Sequence, residues 1–238
     1  MKVRVFIITQ IFNRFMTIQK PTLIQNGFEI YKDALNAETQ AKLVEVVRQM
    51  VSIAPLYQPT MPRTGTPLNV KMTNLGKYGW VSDKENGYRY QEFHPVTKQN
   101  WPDIPREILD IWQCFTGNSL TEFNLLNPDA QRSEWPLPEC CLVNFYKADN
   151  KMGMHVDMDE ADHTTPVLSI SLGDDAIFRM GGAKRGGKTA SIKLQSGDVV
   201  VFANEARMFY HGVDRIIGGT SSLLKGKGRL NLTLRRVT

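Results

Sequence analysis

Cysteine is scarce in this sequence. Only three cysteines occur, Cys114, Cys140 and Cys141, and the last two are adjacent and therefore poorly placed to bridge each other. The odd total and the absence of any C-x-x-C spacing argue against a disulfide framework. We therefore expect buried thiols and a reducing, cytoplasmic setting.

Long hydrophobic runs are missing as well. No apolar stretch approaches the roughly 20 residues that a bilayer-spanning helix requires, so we expect no membrane partner. Hydrophobic residues make up 42% of the chain and charged residues 22%, which excludes a disordered class. The length of 238 residues fits one large domain or a core with a smaller appendage.

Acidic residues are absent from the first twenty positions, which carry Lys2, Arg4, Arg14 and Lys20. Without this segment the net charge falls from +5 to +1, so total charge is a weak argument for a nucleic-acid partner. The segment lacks a signal-peptide cleavage site, and polar residues interrupt its short apolar patch. We expect residues 1–20 to form an irregular N-terminal extension.

The remaining chain changes pattern near its middle. Residues 36–53, with Asn36 as a capping residue, and residues 105–116 have the apolar spacing of amphipathic helices. From about residue 139, short β-rich runs separated by Gly, Asp and Asn predict a sandwich or barrel of antiparallel strands. We predict a helical and mixed N-terminal part, residues 21–138, that supports a double-sheet β domain, residues 139–238.

Histidine is also rare, and three of its positions suggest a metal site. His155 and Asp157 form an H-x-D pair, whose side chains share a face if the segment is a strand. His211 lies in a later β-rich run, and a strand of the opposite sheet could bring it close. Two histidines and one carboxylate leave open metal positions, as in non-haem Fe(II) oxygenases. Taken singly, each element is also consistent with chance or with a core histidine.

The last strand carries polar residues on one face. Arg229, Asn231, Thr233 and Arg235 alternate with leucines, so they point the same way in an extended strand. Burying unpaired guanidinium groups costs several kcal/mol, whereas a small dicarboxylate ligand would compensate them. An exposed edge strand with its charges in solvent is the alternative.

Several motifs follow one another in a fixed order. They are N-F-Y at 144–146, H-V-D at 155–157, S-I-S-L-G at 169–173, A-I-F at 176–178, G-D-V-V-V at 197–201, R-M-F-Y-H-G-V at 207–213 and R-L-N-L-T-L-R at 229–235. Together they resemble the bacterial AlkB-type demethylases of alkylated nucleobases. The resemblance is close from about residue 139 to 236 and weaker back to about residue 70. A generic oxygenase would share only the H-x-D pair and the distal histidine.

The resemblance implies an α+β fold: a double-stranded β-helix (jelly roll) core with N-terminal helices and a nucleotide-recognition lid at about residues 70–93. It implies Fe(II) bound by His155, Asp157 and His211 as the catalytic centre, with 2-oxoglutarate and O2 as co-substrates. The residues implied to bind 2-oxoglutarate are Asn144, Tyr146, Arg229, Asn231 and Arg235.

The resemblance also implies the reaction. 2-Oxoglutarate is converted to succinate and CO2, a methyl group on a base nitrogen is hydroxylated, and formaldehyde is released. The substrates implied are bases of the 1-methyladenine and 3-methylcytosine type in single- or double-stranded DNA, with RNA left open as a further substrate.

Substrate contacts are implied by the same resemblance. A base in a duplex must be flipped out to reach a buried metal. Trp80 would stack on it opposite the His155 ring, Met72 and Tyr88 would complete the wall, and Asp159 would accept from its exocyclic amine. Arg185, in a basic glycine-rich hairpin, would lie near the substrate. The alternatives are a small satellite core for the aromatic residues and a solvated tip for the hairpin.

Two other functions stay open. One is a 2-oxoglutarate oxygenase that acts on RNA, a protein side chain or a small molecule. The other is a non-enzymatic jelly-roll binding module. In each case we expect a monomer, because no long apolar stripe is left uncommitted.

Overall fold

The computed structural model describes residues 20–116 and 135–238. Its helices are α1, Ala37–Ile53, and α2, Arg106–Thr116, together with a short 3-10 helix, Asn204–Met208. None of these helices is both long enough and apolar enough to cross a bilayer. The extension expected at residues 1–20 lies outside the described residues except for Lys20.

The strands of the described residues are numbered along the chain. They are β1 Leu23–Gln25, β2 Phe28–Tyr31, β3 Lys71–Leu75, β4 Gly79–Asp83, β5 Gly87–Gln91, β6 Cys140–Tyr146, β7 Met152–His155, β8 Val167–Gly173, β9 Asp175–Met180, β10 Ala190–Leu194, β11 Val199–Phe202, β12 His211–Ile217 and β13 Arg229–Arg235.

Two antiparallel sheets form the core. The large sheet has the strand order β1-β2-β11-β8-β13-β6-β3, and the small sheet has the order β10-β9-β12-β7. Strands β4 and β5 form a separate hairpin, which we call the lid hairpin. The predicted jelly roll with N-terminal helices is confirmed, whereas a nucleotide-recognition lid at about residues 70–93 stays a prediction.

The two predicted helices pack on the outer face of the large sheet. The Asn36 side chain accepts a hydrogen bond from the Thr39 backbone N–H at 2.9 Å, which caps α1 as expected. Both helices bury their apolar stripes in one cluster with the leucines of β13. The cluster includes Leu43, Val46 and Val47 of α1, Ile108, Ile111, Trp112 and Phe115 of α2, and Leu230, Leu232 and Leu234 of β13.

Strand β13 therefore has two distinct faces, as the alternation predicted. Its leucines point to the helices, while Asn231, Thr233 and Arg235 line a cavity between the two sheets. The exposed-edge alternative is wrong, because β13 lies between β6 and β8 in the large sheet. A central strand with a polar inner face requires polar partners inside the fold.

Strands from both sides of residue 139 build the large sheet. β1, β2 and β3 precede that position, and β2 pairs with β11 while β3 pairs with β6. The division into residues 21–138 and 139–238 stays a prediction. Backbone hydrogen bonds of the large sheet join the two parts.

Candidate active site

The three predicted metal-ligand residues lie together at one end of the small sheet. His155 ends β7 and His211 begins β12, and the two are direct cross-strand partners. Asp157 Oδ1 is 3.6 Å from His155 Nε2, and its Oδ2 is 3.7 Å from His211 Nε2. One ligand atom of each residue lies within 4.8 Å of the others. These three residues could hold one metal ion.

The route by which the residues meet differs from the expectation in two respects. Asp157 lies beyond the end of β7 rather than within a strand, and His211 is in the strand next to His155, not in the opposite sheet. Gly212 permits this close pairing, since a Cβ there would lie 2.7 Å from the Met152 carbonyl oxygen. The prediction of a β-rich run at 207–213 is also partly wrong, because the 3-10 helix extends to Met208 and β12 begins only at His211.

Backbone carbonyls orient both imidazole rings. Nδ1 of His155 lies 2.9 Å from the Gly153 carbonyl oxygen, and Nδ1 of His211 lies 3.1 Å from that of Phe209. A carbonyl can only accept, so each Nδ1 carries a proton, and in the neutral ring the lone pair lies on Nε2, which faces Asp157. This is the tautomer that a metal-binding histidine needs.

His211 is enclosed by aromatic rings. Phe28, Phe178 and Phe202 surround it at centroid distances of 4.8–6.1 Å. Burial, together with the neighbouring His155 ring, lowers the pKa of His211 to about 4. The side chain is therefore neutral at pH 7 and able to donate its lone pair.

Asp157 is buried beside a permanent cation. Its Oδ2 lies 2.8 Å from Arg235 Nη2, as an ion contact rather than an aligned hydrogen bond. Burial raises the pKa of Asp157, but Arg235 and the two histidines outweigh it and hold that pKa below its ordinary value. The carboxylate is ionised at neutral pH, as a metal ligand must be.

The cavity between the sheets collects four of the five residues predicted to bind 2-oxoglutarate. These are Asn144, Tyr146, Asn231 and Arg235. Thr233, expected on the same polar face, also lines the cavity, as does Ser169, which sequence reasoning missed. The only signal for Ser169 was the alternation of small polar residues with apolar ones in β8.

Arg229 is the exception to this group. It pairs across the strands with Tyr146 but does not line the cavity. Its guanidinium donates to Ser171 Oγ at 2.6 Å and to the Asp174 carbonyl at 3.1 Å, while Nε has no partner. Burial lowers the pKa of Arg229 to about 10, so it stays charged at neutral pH. Its predicted ligand role stays a prediction.

A buried charge network stands behind the triad, and sequence reasoning missed it. Glu160 contacts Tyr90, Arg207 and Arg235, and Arg207 in turn donates to the Asp157 backbone oxygen at 2.7 Å. In the sequence, Glu160 is merely the acid that follows Asp159, and Arg207 is merely the arginine that precedes M-F-Y-H. Neither position reveals its partner, because the partners lie 47 to 75 residues away along the chain.

The lid hairpin contacts the loop that follows the H-x-D pair. The Trp80 indole N–H donates to Asp159 Oδ2 at 2.7 Å, and Tyr88 stacks on Trp80 with a centroid distance of 5.5 Å. Met72 is buried in the hydrophobic cluster against which Trp80 packs, rather than exposed to a ligand. Arg185 is exposed in the loop that joins β9 and β10. The substrate roles of these five residues stay predictions.

Comparisons with known proteins agree with this geometry. The model of the 2OG-Fe(II) oxygenase superfamily matches residues 27–235. The chain belongs to this superfamily. An alpha-ketoglutarate-dependent dioxygenase AlkB homolog of Caulobacter vibrioides is 44% identical over 92% of this chain and 91% of its own length. The Escherichia coli dioxygenase AlkB is 36% identical over 85% and 86% of the two chains. Within the superfamily, this protein is thus an AlkB-type dioxygenase.

A solved structure extends the same relationship to three dimensions. The structure of OsALKBH1 superimposes with a TM-score of 0.69 at 29% identity and covers 90% of this chain and 99% of that one. The family implies Fe(II), 2-oxoglutarate and O2 as the groups that the site uses.

The residues present fit those groups. Two imidazole nitrogens and one carboxylate suit Fe(II) and leave coordination positions open. Among the described residues, Asn144 Oδ1 and Arg235 Nε are buried at the cavity without a hydrogen-bond partner. Buried polar atoms normally have partners, so a polar ligand in the cavity would complete them.

Proposed function

We propose that this dioxygenase removes methyl groups from ring nitrogens of DNA bases, of the 1-methyladenine and 3-methylcytosine type. The products would be formaldehyde, succinate and CO2. One observation carries this proposal: the indole of Trp80 is hydrogen-bonded to Asp159, two residues from Asp157. The lid hairpin thus presents an aromatic side chain to the loop that carries Asp157, which suits a flat, alkylated base.

The names of relatives support a nucleic-acid substrate. Besides the two bacterial AlkB proteins, a DNA N(6)-methyladenine demethylase of Arabidopsis thaliana is 33% identical over 90% of this chain, which spans 49% of that longer protein. These relatives do not choose between DNA and RNA for this chain, and RNA is therefore part of the test below.

We assign His155, Asp157 and His211 as the ligands of Fe(II). Asn144, Tyr146, Asn231 and Arg235 would hold 2-oxoglutarate in the cavity, with Arg229 supporting Tyr146 from the neighbouring strand. When bound, Fe(II), 2-oxoglutarate and O2 supply the oxidation of the methyl group. The chain turns Nε2 of both histidines toward Asp157, keeps His211 neutral and Asp157 ionised, and encloses the reaction between two sheets.

Base recognition would use side chains that are already near one another. The flipped base would lie between Trp80 and the half-exposed His155 ring, with Tyr88 supporting Trp80 from its other face. Asp159 would exchange the Trp80 indole N–H for the exocyclic amine of the base, or accept from both. Met72 would contribute from beneath, through the packing of the lid hairpin.

Phosphate contacts would come from the β9–β10 loop. Residues 181–189 carry Lys184, Arg185 and Lys188, all exposed, among four glycines and without an acidic residue. Lys and Arg in such a loop can follow the backbone of either strand and add affinity without base selectivity.

The decisive experiment measures formaldehyde and succinate release from a matched panel. The panel contains methylated and unmethylated DNA, single- and double-stranded, the corresponding RNA, and free methylated amino acids. We expect turnover on methylated DNA and a clear fall in kcat/KM in Trp80→Ala and Asp159→Ala. Equal turnover on a free amino acid, or unchanged activity in both variants, would contradict the proposal. Turnover on RNA alone would instead identify RNA as the substrate.

We propose in addition that the protein acts as a monomer in the cytoplasm. Cys140 and Cys141 support this setting, because both are buried thiols and Cys140 donates to Asn74 Oδ1 rather than forming a disulfide. Sedimentation at micromolar concentration would test the oligomeric state.

A further inference from the structure

Glu160 is a buried acid with no role in the assignments above. Its side chain is fully enclosed, three positions after the metal carboxylate Asp157. An isolated charge taken out of water costs several kcal/mol unless cations and hydrogen bonds compensate it. Here Tyr90, Arg207 and Arg235 contribute the compensating donors.

Arg207 holds one oxygen of this carboxylate. Its Nη2 lies 3.2 Å from Glu160 Oε2, while Nη1 donates to the Asp157 backbone oxygen at 2.7 Å and Nε to the Thr165 carbonyl at 3.3 Å. All three nitrogens of the guanidinium therefore have acceptors. Arg207 anchors the loop that carries both acids.

The other oxygen of Glu160 holds Arg235. Oε1 accepts from the Tyr90 hydroxyl at 2.5 Å and lies 3.2 Å from Arg235 Nη1. The Tyr90 hydroxyl also accepts from Arg235 Nη1, at 3.1 Å. A guanidinium is a rigid planar fork, so fixing Nη1 determines where the opposite Nε–Nη2 edge points.

That opposite edge is the one able to recognise a ligand. Nη2 contacts Asp157 at 2.8 Å, and Nε is buried without a partner among the described residues. Arg235 lines the cavity between the sheets. Two parallel N–H groups on one edge match the two oxygens of a carboxylate.

We propose that Glu160 is a positioning residue for co-substrate binding. It holds Nη1 of Arg235 from behind, so that the Nε–Nη2 edge faces a carboxylate of 2-oxoglutarate. The inference rests on the proposed function in assigning Arg235 to that co-substrate. Through Tyr90 of β5, the same acid ties the lid hairpin to the co-substrate arginine.

The test is an anaerobic titration of the Fe(II)-loaded full chain with 2-oxoglutarate, followed by the visible charge-transfer band. Glu160→Gln keeps the shape and one acceptor but loses the charge, so the Kd for 2-oxoglutarate should rise about tenfold or more. The Kd for Fe(II) alone should stay within about threefold, because Glu160 contacts no side chain of the triad. In turnover, KM for 2-oxoglutarate should rise more than kcat falls.

A matched control and a second variant sharpen the result. Glu139→Gln removes the acid that pairs with Arg236, the next residue along the chain, and should leave both constants unchanged. Tyr90→Phe removes a single hydroxyl and should weaken 2-oxoglutarate binding about threefold or more, a smaller effect than that of Glu160→Gln because Arg235 keeps its contact with Glu160.

Three outcomes separate the possibilities. An unchanged Kd for 2-oxoglutarate in both Glu160→Gln and Tyr90→Phe overturns the inference. Equal losses of Fe(II) and 2-oxoglutarate affinity in Glu160→Gln also overturn it, since they indicate general damage to the fold. If the wild-type protein binds 2-oxoglutarate but leaves every methylated oligonucleotide intact, the proposed substrate is wrong, and the titrations still decide the role of Glu160.

Discussion

His155 and His211 face each other across two neighbouring strands, with ring centroids 4.5 Å apart. Their environments differ: 39% of the His155 side chain is exposed to solvent, compared with 6% of that of His211. Both residues therefore have the same proposed role as metal ligands, but His211 contributes more to the packing of the protein interior than His155 does.

This inequality predicts different effects of the two alanine variants. Both His155→Ala and His211→Ala should abolish Fe(II) binding in an anaerobic titration. His211→Ala should also destabilise the metal-free protein by about 2–4 kcal/mol, because it leaves a cavity among three phenylalanines. His155→Ala should cost less than about 1 kcal/mol. Urea unfolding of the metal-free variants would measure the difference, and equal losses would contradict the assigned environments.

Replacement of Trp80 should act on the nucleic-acid substrate alone. Trp80→Ala should raise KM for a methylated oligonucleotide about 10- to 100-fold, because stacking contributes about 1–3 kcal/mol per base. Trp80→Phe should retain part of this affinity, and 2-oxoglutarate binding should be unchanged in both. Phe93→Ala, which removes another exposed aromatic residue shortly after β5, is the control. An equal effect of Phe93→Ala would argue against a specific stacking role.

The β9–β10 loop should control the salt dependence of binding. We consider the triple variant in which Lys184, Arg185 and Lys188 are all replaced by Ala. Its plot of log K against log salt should become shallower, by about 0.7–0.9 in absolute slope for each lost phosphate contact. Lys42→Ala with Arg48→Ala, on helix α1 across the large sheet, removes charge of the same sign as a control. An unchanged slope in the triple variant would mean that the loop is exposed to solvent and does not contact the phosphates.

Asp174 should stabilise the β12–β13 connection in a pH-dependent manner. Its carboxylate accepts from the backbone N–H groups of Thr220, Ser221 and Gly228 at 2.8–3.1 Å. Burial raises the pKa of Asp174, but these hydrogen bonds outweigh it and hold the pKa below its ordinary value. The stabilisation is therefore present above about pH 4 and lost as the pH falls through the folded-state pKa.

The corresponding variant is Asp174→Asn, which should lower the free energy of unfolding at pH 7 by about 1–3 kcal/mol. The difference from the wild type should shrink when urea unfolding is repeated near pH 3. Asp110→Asn is the control, since the partner of Asp110 among the described residues is the exposed side chain of Arg106 on the surface of α2. A difference that does not depend on pH would mean that the charge of Asp174 is not the cause.

The sequence alone determined the features that depend on local periodicity. Capping by Asn36 and the apolar stripes of α1 and α2 were predictable because helical spacing is a property of neighbouring residues. The two faces of β13 were predictable for the same reason, since alternate residues of any strand point to opposite sides. The motif order, read as a family resemblance, then indicated the oxygenase class and the triad.

Tertiary structure alone decided which distant groups meet. The adjacency of His155 and His211 within one sheet depends on strand pairing between segments far apart in the chain, as does the contact of Trp80 with Asp159. Glu160 gave no local signal, because a buried acid and an exposed one look alike in a sequence. Its role follows from three donors, on β5, the 3-10 helix and β13, that only the folded chain brings within hydrogen-bonding distance of one carboxylate.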